Sequence, residues 1–404
     1  GKDDFGGQRG SITPDHQNRG RFTWRHRQFL PKDWELTLET SYISDDQYLE
    51  SFERNEFENA KDQETLVYLL RRHDNWQFST LTNWRLNEFQ TQTEHLPDNV
   101  FSLIGEPLGE YATAYSESRL GVVRYRGDER RWLNGQNRFD NTGSTGSVIR
   151  GDTSEELQFP LPNLGPMKIT PYVAGRASAY DDGPSGRDED NTSGGFGRVF
   201  GSYGVRGNMM LSKVDDSIES EILDLHRLRH IIKPDFALWN AHGNRNPDEM
   251  TPFDGGVEDI DDFGGGTVGV RQKLQTQRGG PGKWRTVDWI VFDVEAGFFS
   301  NKEESQPVQN FVYDRNGREI QAYDPLVRSN RSHGDYIASR PEDSISSNFL
   351  ATNFQYRISD STVVIQDNVF DMNRGNAGTS NLTLAVERQP RLSYFIGWRY
   401  IPDI

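Results

Sequence analysis

Apolar and polar residues alternate with a period of two along much of the chain. The clearest segment has on one face Trp34, Leu36, Leu38, Thr40 and Tyr42, and on the other Glu35, Thr37, Glu39 and Ser41. Similar alternation returns at residues 76–84 and 392–400. Because the side chains of a strand point alternately to its two sides, the pattern predicts strands with one apolar face. The segments run to about ten residues, which is the length that a tilted strand needs to cross a bilayer.

The connections between these segments alternate in length. Short turns are expected at Pro31–Asp33, His73–Asn75, Pro107–Glu110, Pro162–Pro166, Ser359–Ser361 and Gln389–Arg391. Long polar connections are expected at Ser44–Asp62, Gln90–Asn99, Arg126–Gly151, Asp181–Gly194, Trp239–Gly265 and Asn301–Ser347. The long loops then lie on one side of the sheet and the short turns on the other, as in bacterial outer-membrane barrels. The sequence therefore predicts an all-β, antiparallel transmembrane β-barrel with about 16 strands, of which the pair around 215–224 has the weakest pattern.

Composition narrows the classes of function. Only 33% of the 404 residues are apolar but 12% are aromatic, which suits a barrel with a polar lumen better than a disordered chain. The net charge of −16 argues against a nucleic-acid partner. The longest apolar run, Leu66–Leu70, is far shorter than the roughly 20 residues of a membrane helix. With no cysteine, disulfides and thiolate metal sites are excluded.

Few residues suggest chemistry, and the sequence indicates no catalytic site, cofactor or metal. Acidic clusters occur at 45–46, 155–156, 181–182, 188–190 and 258–262, and could act as acid–base pairs or cation ligands. Charge runs in polar loops are usually solvated, which is the interpretation favoured here. The Arg-Gly-Asp triplets at 126–128 and 150–152 are taken as loop composition. A polar lumen would be lined by inward residues such as Arg25, Glu35, Arg85, Arg206 and Arg357, although a wetted face of a soluble sheet gives the same alternation.

Three segments, in order and over about residues 20–400, together resemble the LptD (organic solvent tolerance) family. They are Arg21–His26 with Trp34–Leu36 and Tyr42–Leu49; Trp76–Phe78 with Gln92–Pro97; and Arg227–Pro234 with Thr251–Asp254. The residues that carry the resemblance are Trp34, Asp45, Tyr48, Trp76, Pro97, Arg229, His230, Pro234, Pro252, Phe253 and Asp254.

The resemblance implies a non-enzymatic outer-membrane translocon component that inserts lipopolysaccharide into the outer leaflet. It also implies contact with outer-membrane lipid, a plug lipoprotein similar to LptE and a periplasmic bridge protein similar to LptA. The family's periplasmic N-terminal domain, closing strands and cysteines are not seen. Residues 1–404 are therefore expected to be a partial barrel domain with a leading polar loop at 1–20, and with an open seam between the strands near 21–30 and 392–401.

Two other functions remain open. A general diffusion porin would share the strand number and the polar lumen, and an inward-folded constriction loop would favour it. A secreted β-rich carbohydrate-active protein would use an acidic pair and would be soluble without detergent. In the barrel, residues 126–151 and 301–347 should be accessible from outside the cell, and residues 31–33 and 389–391 from the periplasm.

Overall fold

The computed structural model describes most of residues 18–126, 146–182, 194–245, 250–300 and 348–400. Short gaps within these ranges fall at 60, 62, 91, 163, 251–252, 255, 259–261, 263, 281, 374 and 389–391. Outside these ranges, three pairs of short strands are described: Asp3–Asp4 with Ser11–Ile12, Trp132–Leu133 with Gln136–Asn137, and Gln309–Tyr313 with Glu319–Tyr323.

The fold is one large antiparallel sheet. Its strands are β1 Arg21–Leu30, β2 Trp34–Ile43, β3 Leu66–His73, β4 Trp76–Asn83, β5 Gln92–Leu108, β6 Ala112–Arg126, β7 Val148–Gln158, β8 Met167–Tyr180, β9 Phe196–Met209, β10 Leu211–Ser220, β11 Leu225–Gly243, β12 Gly264–Arg278, β13 Arg285–Phe299, β14 Phe349–Arg357, β15 Thr362–Asp371, β16 Asn376–Arg388 and β17 Leu392–Tyr400. Two short helices, α1 Tyr48–Phe52 and α2 Arg54–Asn59, lie between β2 and β3.

The 17 segments correspond to sixteen crossings of the sheet. β9 pairs with the second half of β11, from Asn208 opposite Asp235 to Phe200 opposite Gly243. β10 pairs in the same antiparallel sense with the first half of β11. β9 and β10 are therefore successive parts of one long strand interrupted at Met210, and the expected number of about 16 strands is met.

The sheet has one apolar face and one polar face, because paired residues on neighbouring strands point to the same side. Large apolar side chains are exposed on one face, among them Leu120, Ile149, Val199, Tyr203 and Leu238. The opposite face carries charged side chains at the alternate positions, such as Arg150, Arg176 and Arg198. An apolar outer face against a polar inner face is the arrangement of a membrane barrel wall.

The structure confirms several of the predicted connections, contradicts one and shortens another. The turn at 31–33 and the turn at 359–361 connect strands as expected. The segment Gln90–Asn99 was expected to be a long loop, but β5 begins at Gln92, so the connection covers only 84–91. Within the expected loop at 239–265, β11 continues to Gly243 before the chain leaves the sheet. The expected loop at 301–347 lies outside the described residues, apart from its short strand pair. The same holds for the expected turn at 389–391 and for most of the expected loops at 126–151 and 181–194.

The sheet is open between its first and last strands. The strand order brings β17 next to β1, but among the described residues no ladder joins them, because the ladders of β1 and β17 run only to β2 and β16. Both strands are exposed over almost all of their length. The expected seam is therefore confirmed. In the described part of the chain, no helix has the length and apolar character to span a membrane.

Candidate functional site

Described residues of the connection between β11 and β12 lie against the inner face of β5 to β9. We call its residues 250, 253–254 and 256–258 the docked loop. Met250 and Phe253 are 1% and 8% exposed, and they pack in a buried cluster with residues of β6, β7 and β8. These residues are Val123, Tyr125, Val148 and Tyr180, and Phe196 stacks on Tyr180 with the ring centroids 4.5 Å apart. Burial of apolar side chains holds this half of the docked loop to the wall.

Asp254 lies at the centre of the polar half. Its carboxylate accepts hydrogen bonds from the guanidinium of Arg150 at 2.6 Å and of Arg119 at 3.1 Å. The imidazole Nε2 of His95 is 3.3 Å away. The hydroxyl of Thr93 donates to the backbone carbonyl of Phe253 at 2.7 Å. Asp254 therefore joins the docked loop to β5, β6 and β7.

Glu258 lies deeper, with only 1% of its surface exposed. Its carboxylate is 3.0 Å from Nη1 of the fully buried Arg150 and accepts a 2.8 Å hydrogen bond from the Tyr180 hydroxyl. The same side chain accepts a hydrogen bond from the backbone N–H of Asp254 at 2.6 Å. Buried charges are tolerated only when they are paired and hydrogen-bonded, and both conditions are met here.

Two further arginines hold the backbone of the docked loop. Nη1 of Arg198 donates to the carbonyls of Val257 and Glu258, both at 3.1 Å. Nη1 of Arg176 donates to the carbonyl of Gly256, while its Nε and Nη2 bind Asp152. We call Arg119, Arg150, Arg176 and Arg198 the arginine wall; they come from β6, β7, β8 and β9.

The two acids of the docked loop have opposite pKa shifts. Burial alone would raise the pKa of Asp254, but the hydrogen bond with His95 and the charge of Arg150 outweigh it and hold this pKa well below its ordinary value. Burial raises the pKa of Glu258, and the charge of Arg150 offsets only part of that effect. Asp254 is therefore the firmly ionised partner of the arginine wall.

Local backbone geometry brings β5 close enough to join this site. The ladders that β5 makes with β4 and β6 both change register between His95 and Asp98, where the bulge contains Pro97. Opposite this bulge is Gly121, at which a Cβ would meet Asp98 Cα at 2.7 Å and the Pro97 carbonyl at 2.8 Å. Only glycine permits that approach, which positions His95 and Asp98 beside Asp254.

One group of potential metal ligands is found among the described residues. His95, Asp98 and Asp254 offer ligand atoms that lie within 4.8 Å of one another. Nη1 of Arg119 and Nη2 of Arg150 each lie 3.6 Å from Oδ2 of Asp98. These guanidiniums already supply the positive charge that a cation would bring, so the geometry favours an ion network rather than a metal centre.

The structure brings together part of the sequence signature. Phe253 and Asp254 are in the site, and Pro97 lies in the bulge beside it. Pro252 lies outside the described residues. Trp34 and Trp76 lie elsewhere, and the guanidinium of Arg71 is 5.7 Å and 5.2 Å from their ring centroids. Such aromatic residues near the ends of strands are typical of the interfacial girdle of a barrel.

The other signature residues are separate from the site. Asp45 is fully buried and binds the Arg19 guanidinium through two hydrogen bonds of 2.9 and 2.6 Å. Burial would raise the pKa of Asp45, but the hydrogen bonds from Arg19 and Ser44 lower it on balance. The ring of Tyr48 packs 5.2 Å from that of Phe52. The segment with Arg229, His230 and Pro234 belongs to β11, where His230 Nε2 is 3.2 Å from the Gln272 side-chain oxygen.

Several site residues were missed or misjudged from the sequence. The interpretation of the acidic clusters as solvated was wrong for Asp45 and Glu258, which are 0% and 1% exposed. Arg150 was assigned to loop composition, although it is an inward residue of β7. The available signal was the alternation after Val148, which places Arg150 and Asp152 on the same face.

Comparison with known proteins identifies the family. The family model for LPS transport system D, LptD, matches residues 17–234. The chain belongs to the LptD family. No curated protein matches the chain. Membership connects it with lipopolysaccharide transport and assembly at the outer membrane, in a family of transport components. The docked loop is also a feature that was expected of a porin, whereas the LptD match supports a role in lipopolysaccharide transport.

Proposed function

We propose that this LptD-family chain forms a wall of the translocon that inserts lipopolysaccharide into the outer leaflet of the outer membrane. The saccharide would pass along the polar inner face while the acyl chains leave sideways into the membrane. No bond is made or broken by the chain in this proposal. The family match supports it most directly.

A second observation supports the route of the saccharide. The inner face of β12 to β17 borders an open cavity of about 1110 Å³. Its inward side chains are mainly amides, carboxylates and cations: Arg271, Asp293, Asn353, Asp367, Asn381 and Arg399. Such groups exchange hydrogen bonds with water and sugar hydroxyls alike, so this surface suits a hydrated saccharide and not its acyl chains.

The proposal also includes partner proteins, further strands of the barrel and a periplasmic domain. A plug lipoprotein similar to LptE and a periplasmic bridge protein similar to LptA would act with the chain. The unpaired edges of β1 and β17 support further strands, because unpaired backbone groups facing hydrocarbon each cost several kcal/mol. A periplasmic domain that receives the lipid would belong to the same protein.

Depletion of the protein in its own host tests the proposal. Newly made lipopolysaccharide should accumulate on the periplasmic side and disappear from the cell surface, as measured by surface labelling. Loss of a general porin should instead reduce uptake of small solutes and leave surface lipopolysaccharide unchanged. Normal surface lipopolysaccharide after depletion would contradict the proposed function.

A further inference from the structure

The arginine wall presents guanidinium groups from four neighbouring strands to one segment of chain. These guanidiniums contact two carboxylates of the docked loop, those of Asp254 and Glu258, and the backbone carbonyls of residues 256–258. The guanidinium fork matches the oxygens of carboxylates and of phosphates equally well. The contacts made by the docked loop are therefore those that an anionic ligand would make.

Arg150 depends most on the docked loop. Its two shortest ion pairs, 2.6 Å to Asp254 and 3.0 Å to Glu258, both come from that segment. The nearest wall carboxylate among its ion pairs, Asp98, is 3.6 Å away. Its Nε is buried and has no hydrogen-bond partner among the described residues. If the docked loop left, a guanidinium with unmet hydrogen-bonding capacity would face the lumen.

Arg176 and Arg119 have carboxylate partners on the strands themselves. Asp152 binds Arg176 at 2.9 Å, and Glu117 lies 3.3 Å from Arg119. Arg198 donates hydrogen bonds to two backbone carbonyls of the docked loop. Without the docked loop, a local excess of positive charge would remain at Arg150, on the surface that faces the path proposed for the saccharide.

We propose that the arginine wall is a binding site for phosphate groups carried on a saccharide, and that the docked loop occupies this site until such a ligand displaces it. The inference rests on the proposed function, since it assigns the anionic part of the transported lipid to one surface of the lumen. A permanent structural lock has the same contacts in the resting state but is not displaced by ligand.

Ligand-driven displacement can be measured on the full chain in detergent micelles. The chain has no cysteine, so Val257→Cys provides a unique thiol at a position that is 2% exposed. Glucose 6-phosphate should raise the rate of maleimide labelling of this thiol, and inorganic phosphate should do so more weakly. Glucose alone should have no effect. Unchanged labelling with glucose 6-phosphate, or an equal increase with glucose, overturns the proposal.

Binding itself is measured by calorimetry with glucose 6-phosphate. Asp254→Asn with Glu258→Gln removes the charges of the docked loop while keeping all four wall arginines. This variant should bind the probe at least about tenfold more tightly than the unaltered chain, the equivalent of one charge-assisted hydrogen bond. Adding either Arg150→Gln or Arg198→Gln to it should abolish the gain. A gain that survives both arginine substitutions would show a site elsewhere and refute the assignment.

The matched control is Glu88→Gln with Glu221→Gln, which removes two exposed carboxylates away from the wall. It should bind glucose 6-phosphate with the same affinity as the unaltered chain. A similar increase in affinity in the control would mean that the change in net charge, and not the arginine wall, causes the effect. The failure of this inference is separable from that of the proposed function. If depletion abolishes surface lipopolysaccharide but glucose 6-phosphate neither binds nor displaces the loop, only the phosphate site is wrong.

Discussion

Gly121 controls how closely β6 approaches the bulge of β5. Gly121→Ala would put a methyl group within 3 Å of backbone atoms of Pro97 and Asp98, which cannot move without shifting the bulge. We expect a loss of about 1–3 kcal/mol in the free energy of unfolding, the usual cost of overpacking. Chemical unfolding in micelles, followed by tryptophan fluorescence, measures it.

Gly151, on the adjacent strand β7, is the matched control. A Cβ there would meet only Cδ1 of Leu120, at the ordinary distance of 3.9 Å. Gly151→Ala should leave the unfolding free energy nearly unchanged. Equal effects of the two substitutions would show that the close approach at Gly121 is not a constraint.

The opposite pKa shifts of the two loop acids make the seating of the docked loop depend on pH. Because the pKa of Glu258 is raised, its favourable contribution is complete below the ordinary glutamate pKa and is lost as the pH rises through the raised value. Because the pKa of Asp254 is lowered, its contribution is present above the ordinary aspartate pKa and is lost only at lower pH. The groups facing Glu258 are Arg150, Tyr180 and Asp254.

The docked loop should therefore be held most tightly just above the ordinary aspartate pKa, near pH 4, and more loosely towards neutral pH. The check is the labelling rate of Val257→Cys divided by that of the exposed Gly256→Cys, a ratio that largely cancels the ionisation of the thiol. The ratio should fall on acidification, and Glu258→Gln should remove the change. A ratio that rises on acidification contradicts the assigned shift.

Single residues of the site differed in how far the sequence revealed them. Asp254 was recognised because it belongs to a short motif with Phe253. The sequence around Glu258 is polar and acidic, like that of a solvated loop. Glu258 is buried because it contacts Arg150 of β7 and Tyr180 of β8, which lie about 80 to 110 positions earlier in the chain. No local pattern encodes a contact across such a separation.

At the scale of a strand, the two faces of β16 should respond differently to charge. Leu384 is on the outer face opposite Ile396, whereas the neighbouring Thr383 lines the inner cavity. Leu384→Arg should destabilise the protein by about 2–4 kcal/mol if it lies near the midplane, because the charge enters hydrocarbon. Thr383→Arg is the control and should cost much less. Unfolding of both variants in lipid vesicles measures the difference, and equal costs would contradict the assigned faces.

Strands were predictable where alternation continued without interruption, and were mispredicted where it did not. β2 has regular alternation, and its bounds were expected almost to the residue. β5 contains two register shifts, between His95 and Asp98 and between Leu103 and Glu106. At each shift the extra residue moves the side chains that follow to the opposite face of the sheet from the one that simple alternation predicts. The alternation breaks at the first shift, which is why the beginning of β5 was assigned to a loop.

At the scale of the whole molecule, the ends of the sheet should lie on opposite sides of the membrane. Glu88 is exposed in the connection between β4 and β5, and Glu110 is exposed in the turn between β5 and β6. In intact cells, an impermeant maleimide should label Glu88→Cys and not Glu110→Cys. Both sites should react after the outer membrane is permeabilised. Labelling of both in intact cells would contradict the orientation.

The open seam makes a prediction for the backbone of the edge strands. In an antiparallel sheet, the amides of an edge strand alternate between those bonded to the inner neighbour and those that point outward. β17 pairs only with β16 among the described ladders, whereas β7 pairs on both sides with β6 and β8. In the isolated chain in micelles, about half of the amides of residues 392–400 should exchange rapidly with deuterium, while those of β7 remain protected.

Hydrogen exchange resolved by mass spectrometry can compare these two strands, and β1 should behave like β17. Addition of a partner or of further strands that complete the barrel should slow exchange at both edges and leave β7 unchanged. Full protection of β1 and β17 in the isolated chain would mean that the two strands pair directly. The sheet would then be a closed sixteen-crossing barrel, and the proposal that further strands complete it would have to be withdrawn.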